Sequence, residues 1–506
     1  MRKITIVTGL ALVVGLLAPP PALALDDDIH TKKLRKEVNA AGILSHEHAL
    51  QRIANENGGN RAAGTAGYDE SADYVAKKLE NSGFDVEMQA FEFPYFFELA
   101  PSLVEQVSPD EVTYESVTMT YSGTGDITGA VVPTNDVIIP PLPDPGSTSG
   151  CEPEDFEPAD PVEPQVALIQ RGTCFFIDKA LNAQAAGYDA VLIFNEGQEG
   201  RTELLTGTLG APVDFPVVGL SFDDGAALYE ASQAGETVVH VVTSTESETR
   251  TTHNVIADLP GGKKKETVVI GAHLDSVSTG PGINDNGSGS MTILEVAQEI
   301  AQLDINYRRH LRFAFWGAEE LSLLGSQYYV DTLKDSQLNK IYANLNFDML
   351  ASPNYVRFVY DGDGSATDPA GPPGSDELEA LFTDYFASQD LASSETAFSG
   401  RSDYGPFIAV GIPAGGLFSG AEGVKTEEEA AIYGGTAGVA YDVCYHLACD
   451  TVDNVNSTAL GEMGDAVADS VLTMARSKTG LYDDSSRPER VPVPTETFDY
   501  WGGLVR

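Results

Sequence analysis

The sequence predicts an α/β protein: a mostly parallel mixed sheet sandwiched by helices, with a β-rich domain inserted into it. Three observations predict this. From about Thr252 onward, short apolar runs rich in β-branched and aromatic residues alternate with helix-length amphipathic stretches, the pattern of βα units in a parallel sheet. Those runs are apolar throughout, as strands covered on both faces are. Between about Thr120 and Val242 the alternation gives way to β-prone segments around a Pro-rich acidic stretch, Pro140 to Pro164, whose composition reads as loop.

In chain order, Thr31 to Asn57 reads as helix. After the Gly58–Gly67 turn a second helix runs from Tyr68 to Ser82 with Tyr74, Val75 and Leu79 on one face, and Gly83 ends it. Phe84 to Phe93 reads as a strand and Val112–Tyr121 as β-prone. Gln165–Gln170 and Ala190–Phe194 read as strands around a helix at Lys179–Ala186. The regular part then places strands at Val268–Ala272, Leu311–Trp316, Ala343–Phe347, Val356–Tyr360 and Ala414–Phe418, with helices at Met291–Leu303, Ser326–Leu333, Asp376–Gln389 and Leu460–Met474. The expected division is 1–24 export signal, 25–119 first part of the main domain, 120–242 insert, 243–482 catalytic part, and 483–506 a Pro-rich polar tail.

Arg2 and Lys3 precede an apolar run from Ile4 to Ala18, a Pro19–Pro21 break and Ala22-Leu23-Ala24, the layout of a cleaved signal peptide. The run is shorter than the roughly 20 residues a spanning helix needs, and no cysteine stands at the cleavage site to carry a lipid. A secreted, extracellular protein starting near Leu25, with no membrane association after cleavage, is expected. The four cysteines, Cys151, Cys174, Cys444 and Cys449, allow three pairings, and short loops favour Cys151–Cys174 and Cys444–Cys449. Disulfides suit an oxidising compartment. With 76 Asp plus Glu against 30 Lys plus Arg, a net charge of −46, the chain would repel nucleic acid and anionic membranes.

The chemistry-bearing residues gather where the predicted strands end. His273 and Asp275 follow the first strand of the regular part, and Asp285 stands in Gly282-Ile-Asn-Asp-Asn-Gly-Ser-Gly. Glu319 and Glu320 follow the second strand, Asp348 the third, and His446 lies between Cys444 and Cys449. Functional groups of such sheets collect at the carboxyl ends of the strands. Two imidazoles and several carboxylates converging there suit zinc, and two ions sharing one carboxylate need about five protein ligands. His273, Asp285, Glu320, Asp348 and His446 are those five.

The order of His273-x-Asp275, Asn284-Asp285 with Gly287-Ser-Gly, Trp316-Gly-Ala-Glu319-Glu320, Asn346-Phe-Asp348 and Tyr445-His446 resembles the M28 family of zinc peptidases, and within it secreted bacterial aminopeptidases and aminopeptidase Y. The likeness begins at Gly59-Asn-Arg-Ala-Ala-Gly-Thr-Ala-Gly. Gln170-Arg-Gly-Thr-Cys-Phe-Phe and Ala185-Ala-Gly-Tyr-Asp-Ala resemble the protease-associated (PA) domain that these enzymes often carry. The resemblance implies the zinc-peptidase fold and an aminopeptidase that removes single residues, Leu among the favoured ones, from peptide or protein N-termini. It implies that His273 and Asp348 hold one zinc, Glu320 and His446 the other, and that Asp285 bridges them. Asp275 would orient His273, Glu319 would be the general base, Tyr445 would donate to the oxyanion, and Arg401 would position substrate. Calcium is left open as a further ion, and a monomer is expected. Where many relatives have a histidine, this chain has Tyr404, which points to an altered pocket lining. His30, His46, His48, His240, His253 and His310 match no motif and are expected at the surface or in structural roles.

Three other readings share the fold. A carboxypeptidase or dipeptidase would want a basic pocket for a substrate carboxylate. A glutaminyl cyclase works with one zinc, whereas all five ligand positions are present here. A non-catalytic, receptor-like relative would have a damaged metal site.

Overall fold

Valine, isoleucine and phenylalanine fill three neighbouring parallel strands, Lys263–His273, Arg309–Trp316 and Ile341–Asp348, in the computed structural model, which describes residues 30–303, 305–367 and 369–481. The export signal expected over 1–24 and the tail expected over 483–506 lie outside those residues. Ala414–Phe418 adds a fourth parallel strand beside Ile341–Asp348. Phe358–Tyr360 pairs antiparallel to it, and Ser394–Thr396 closes that edge.

Side chains of these strands alternate between two cores, because successive residues of a strand point to opposite faces. Val268, Ile270, Leu311, Phe313 and Phe315 pack with the helices Ala40–Glu56, Gly289–Gln302 and Ser457–Arg476. Val269, Ala314 and Trp316 pack against Tyr329 and Val330 of Leu324–Thr332 and Phe407 of Gly405–Ala409. Burial on both faces explains why the runs are apolar throughout. Removing one buried ring, as in Phe313→Ala, would cost about 3–5 kcal/mol.

A 21-residue strand, Val238–Asp258, joins this sheet to the insert. Its far half pairs with Arg309–Trp316 and its near half with Gly125–Pro133. Along its whole length it also pairs antiparallel with the 24-residue strand Asp85–Ser108, from Asp85↔Asp258 to Ser108↔Val238. The insert continues through parallel strands Gln165–Gln170, Ala190–Phe194 and Val217–Leu220. Helix Phe176–Ala186 packs on one face of these strands and Leu228 of Phe222–Ala234 on the other. Cys151–Cys174 ties the acidic loop to the start of the first helix, and Cys444–Cys449 forms the second disulfide.

The mostly parallel sheet between helices is as predicted, but some elements differ. The single helix expected over 31–57 is two, Lys32–Glu37 and Ala40–Glu56. Asn39 is extended there, and its side chain accepts from the amides of Ala41 and Gly42, capping the second helix and ending the first. The strand expected to end at Phe93 runs to Ser108, with Pro94 in pairing register and Pro101 at a register shift. Gly125–Pro133, Val217–Leu220 and Phe222–Ala234 were not foreseen, and the strand Val238–Asp258 runs across the expected boundary at 242.

Candidate metal centre

The strand order sets the three carboxyl ends side by side. His273 and Asp348 are the last residues of their strands, and Glu319 and Glu320 stand in the turn after Trp316. Asp285 enters from the loop before helix Gly289–Gln302, and His446 from the disulfide loop, where its φ is 58°.

The five expected ligands converge. His273 Nε2 lies 3.2 Å from Asp285 Oδ1 and 3.3 Å from Asp348 Oδ1. His446 Nε2 lies 3.2 Å from Asp285 Oδ2 and 3.0 Å from Glu320 Oε2. Each oxygen of Asp285 thus faces a different imidazole, the disposition of a shared ligand. Glu319 Oε2 is 3.9 Å from His273 Nε2.

These groups fit a metal. Glu320 Oε1 and Asp348 Oδ1 are buried without a hydrogen-bond partner, which is costly unless a cation takes the lone pairs. Four carboxylates, Asp285, Glu319, Glu320 and Asp348, crowd the buried His273 and the half-exposed His446, and mixed nitrogen and oxygen donors at this density suit zinc. Burial pushes the Glu319 carboxyl well up; His273 opposes this, and Asp403, Asp348 and Glu320 reinforce it. Burial, then the Asp285 charge, pushes Glu320 up to about 7. Burial would lower His446, but Asp285 and Glu320 raise it to about 10. Burial likewise opposes the His273 shift, yet Glu319 and Asp348 hold that ring well above its ordinary value. Asp285 is held well below the carboxylate range by hydrogen bonds from both imidazoles, against the effect of burial.

Asp275 does something the motif did not announce. His273 Nδ1 is 3.2 Å from the Asp275 backbone carbonyl and 3.7 Å from its carboxylate. The carboxylate accepts from the amides of Glu319 at 3.1 Å and Glu320 at 3.3 Å, so it fixes the Glu319-Glu320 turn. Tyr445 stacks on His446 with centroids 3.8 Å apart, and its hydroxyl accepts from Arg401 Nη2 at 3.2 Å. Arg401 also pairs with Glu422 at 2.7 Å. Metal-site residues, Arg401, Tyr445, Met349, Tyr360, Tyr404 and Phe418 line a cleft of about 540 Å³. Tyr404 is buried, its ring against Tyr360 and Phe398 and its hydroxyl accepting from the Gly400 amide.

Sequence reasoning missed the residues that brace this centre. Arg61 is fully buried and donates to the carbonyls of Leu274, Pro281 and Gly282. Asp450 accepts from the amides of Asn284 at 2.8 Å and Asp285 at 3.0 Å. Ser402 donates to Asp348 Oδ2 at 2.5 Å and accepts from Asn346. Arg61 stood inside a segment already singled out, Ser402 directly follows Arg401 and Asp450 directly follows Cys449, but nothing local marks their partners. Of the other histidines, His46 contacts Tyr74 and Glu295, His240 pairs with Asp126 and His310 with Asp258. A further acidic group, Asp361, Asp363 and Glu379, lies outside the cleft lining. Asp361 there accepts from the backbone amides of residues 364–367 and Glu379 from those of Gly362 and Asp363.

Comparison with known proteins identifies the family. The peptidase family M28 model matches residues 254–471 and the PA domain model residues 127–228. The chain is 45% identical over 482 residues to an aminopeptidase of Pseudomonas aeruginosa strain PAO1, covering 92% of this chain and 88% of that one. It is 37% identical over 477 residues to leucine aminopeptidase 2 of Arthroderma otae, covering 92% and 91%. Among solved structures it resembles the aminopeptidase from Aneurinibacillus sp. strain AM-1, with a TM-score of 0.62 at 26% identity over 92% of this chain and all of that one. It also resembles BSAP, a zinc aminopeptidase from Bacillus subtilis, with a TM-score of 0.56 at 25% identity over 88% and 98%.

Proposed function

The chain belongs to peptidase family M28 and carries a PA domain, and on that premise we propose that it is a secreted di-zinc aminopeptidase that favours large apolar N-terminal residues such as Leu. As a member of that family it is a metallo-exopeptidase. His273 and Asp348 would hold one zinc, Glu320 and His446 the other, with Asp285 shared. When bound, the ions would polarise the scissile carbonyl and make water a stronger acid.

The chain's own residues supply the rest. Glu319, buried among carboxylates that raise its affinity for a proton, takes the proton of the attacking water and returns it to the departing amine as the carbon–nitrogen bond breaks. Tyr445 donates its hydroxyl proton in a hydrogen bond to the carbonyl oxygen as that oxygen gains charge. Arg401, anchored on Glu422, holds the Tyr445 ring and faces the substrate backbone. Asp275 keeps the Glu319-Glu320 turn in place. Met349, Tyr360 and Phe418 offer an apolar wall to the N-terminal side chain.

The observation that carries the exopeptidase direction is the charge of the cleft. Among the described residues, its only guanidinium or ammonium is Arg401, and Glu422 already engages it. Glu319 and Asp348 remain to receive a substrate ammonium. A carboxypeptidase would need a free fixed cation here, and a receptor-like relative would have no reason to keep five converging ligands. Two disulfides support the secreted reading, and no described helix is long and apolar enough to cross a membrane. Both oxygens of Asp361 and Oε2 of Glu379 accept from backbone amides, and the reading does not use calcium. The test compares Leu-p-nitroanilide with its N-acetyl derivative, alongside metal analysis of the purified protein. Hydrolysis of the free amine alone is expected, with zinc bound. Equal rates on both substrates, or release of C-terminal residues from peptides, would overturn the reading.

A further inference from the structure

A second cleft, of about 520 Å³, opens at the opposite end of the same sheet. Lys264 lines it from the start of Lys263–His273, His310 and Arg312 from the start of Arg309–Trp316, and Lys340 and Gln337 from the segment leading into Ile341–Asp348. The Thr267 amide donates to the Lys340 carbonyl at 2.9 Å, so the two lysine-bearing segments run side by side.

The hydrogen-bonding capacity of this cleft is one-sided. Among the described residues its one carboxylate, Asp258, accepts from Arg312 Nε at 2.7 Å and Nη2 at 2.8 Å, with His310 Nε2 at 3.2 Å. The other nitrogen of His310 faces the Gly261 carbonyl, so that ring offers the cleft no acceptor. The Gln337 oxygen accepts from the Lys334 amide, which leaves its NH₂ group. The Lys264 and Lys340 ammoniums are exposed and make no hydrogen bond or ion pair among the described residues. Two ammoniums, an amide NH₂ and the spare N–H groups of Arg312 therefore line one cleft, and the Asp258 carboxylate there is already engaged. A group of unmatched donors recognises an oxyanion. The chain's large negative charge does not prevent this, because exposed charges beyond about 8–10 Å are screened at physiological ionic strength.

The geometry points to a binding site in this cleft for a tetrahedral oxydianion, sulfate or the phosphate group, held chiefly by Lys264 and Lys340. It is separate from the metal centre and does not depend on the peptidase reading. Uptake of labelled inorganic sulfate by the full-length protein, measured by equilibrium dialysis in chloride buffer, tests it, with inorganic phosphate as a competing arm. One saturable sulfate per chain is expected, displaced by phosphate. The double variant Lys264→Glu with Lys340→Glu should bind at least about tenfold more weakly, since each charge-assisted hydrogen bond contributes on that scale. Its hydrolysis of Leu-p-nitroanilide should equal that of the wild type, which also shows that it folds. Lys478→Gln, a change outside the cleft lining, should leave sulfate uptake as it was. No saturable uptake, uptake unchanged in the double variant, or an equal loss in Lys478→Gln would overturn the proposal and leave an adventitious ion only.

Discussion

The two ends of one sheet handle charge in opposite ways. At the amino ends, Asp258 meets Arg312 and His310, which outweigh its burial and hold its carboxyl well below the usual range. At the carboxyl ends, Glu319 and Glu320 are buried beside other carboxylates, and both are pushed up. The first arrangement stabilises the fold, whereas the second costs stability, the pattern expected of a functional site. One scaffold supports both because the strands that join them are packed on both faces.

The largest break in this contrast should come from the carboxyl end. Glu319→Gln keeps the shape of the side chain but removes its basicity, and kcat should fall about 10²–10⁴-fold while zinc content is unchanged. Glu320→Gln should instead lower zinc content, read by metal analysis. If Glu319→Gln loses metal and Glu320→Gln keeps it, the two roles are reversed.

Asp450→Asn tests whether bracing matters as much as ligation. Asparagine keeps one acceptor oxygen where Asp450 offers two, so one of the Asn284 and Asp285 amides loses its acceptor, and zinc affinity measured against a competing chelator should weaken about 10–100-fold. Unchanged affinity would show that the disulfide loop positions Asp285 without it.

At the amino end the expected effect is on stability alone. Asp258→Asn should cost about 2 kcal/mol at pH 7 in denaturant unfolding, with turnover intact. The Asp258 folded pKa is depressed, so its contribution is present above the unfolded value of about 4 and is lost as pH falls toward the folded one. The difference between wild type and variant should therefore shrink below about pH 4. A difference that persists there would mean that packing, rather than charge, accounts for the effect.

The smallest effect on the single-residue reaction should follow removal of the insert. Glu98 and Thr245 are register partners, so a short turn can replace residues 99–244 and close the ribbon. Phe91 and Phe93 would still pack against Ala318 beside the Glu319-Glu320 turn. Turnover of Leu-p-nitroanilide should change little, and the preference between long and short peptides should change more. Complete loss of activity in a folded variant would place a catalytic contribution in the insert.

Much of this was legible in the residues. The apolar runs placed all five regular strands, and His273, Glu319, Glu320 and Asp348 could be assigned to strand ends because each lies within a few residues of its run. The spacing of Cys444 and Cys449 favoured the pairing that encloses His446. The ribbon was harder to see, because Pro94 and Pro101 read as breaks while the partner strand that accommodates them lies about 150 residues away. Arg61 and Asp450 were hidden for the same reason, since their partners are 213 to 221 and 165 to 166 residues distant.

The sequence by itself determined the fold class, the disulfide pairing it favoured and the kinds of donor available to a metal, because hydrophobic period, short loop length and side-chain chemistry are local properties. Tertiary structure alone decided that Asp285 faces two imidazoles, that Asp275 holds the Glu319-Glu320 turn, and that Lys264 and Lys340 share a cleft. Those facts depend on which strands lie side by side, and strand order is settled by packing between segments far apart in the chain.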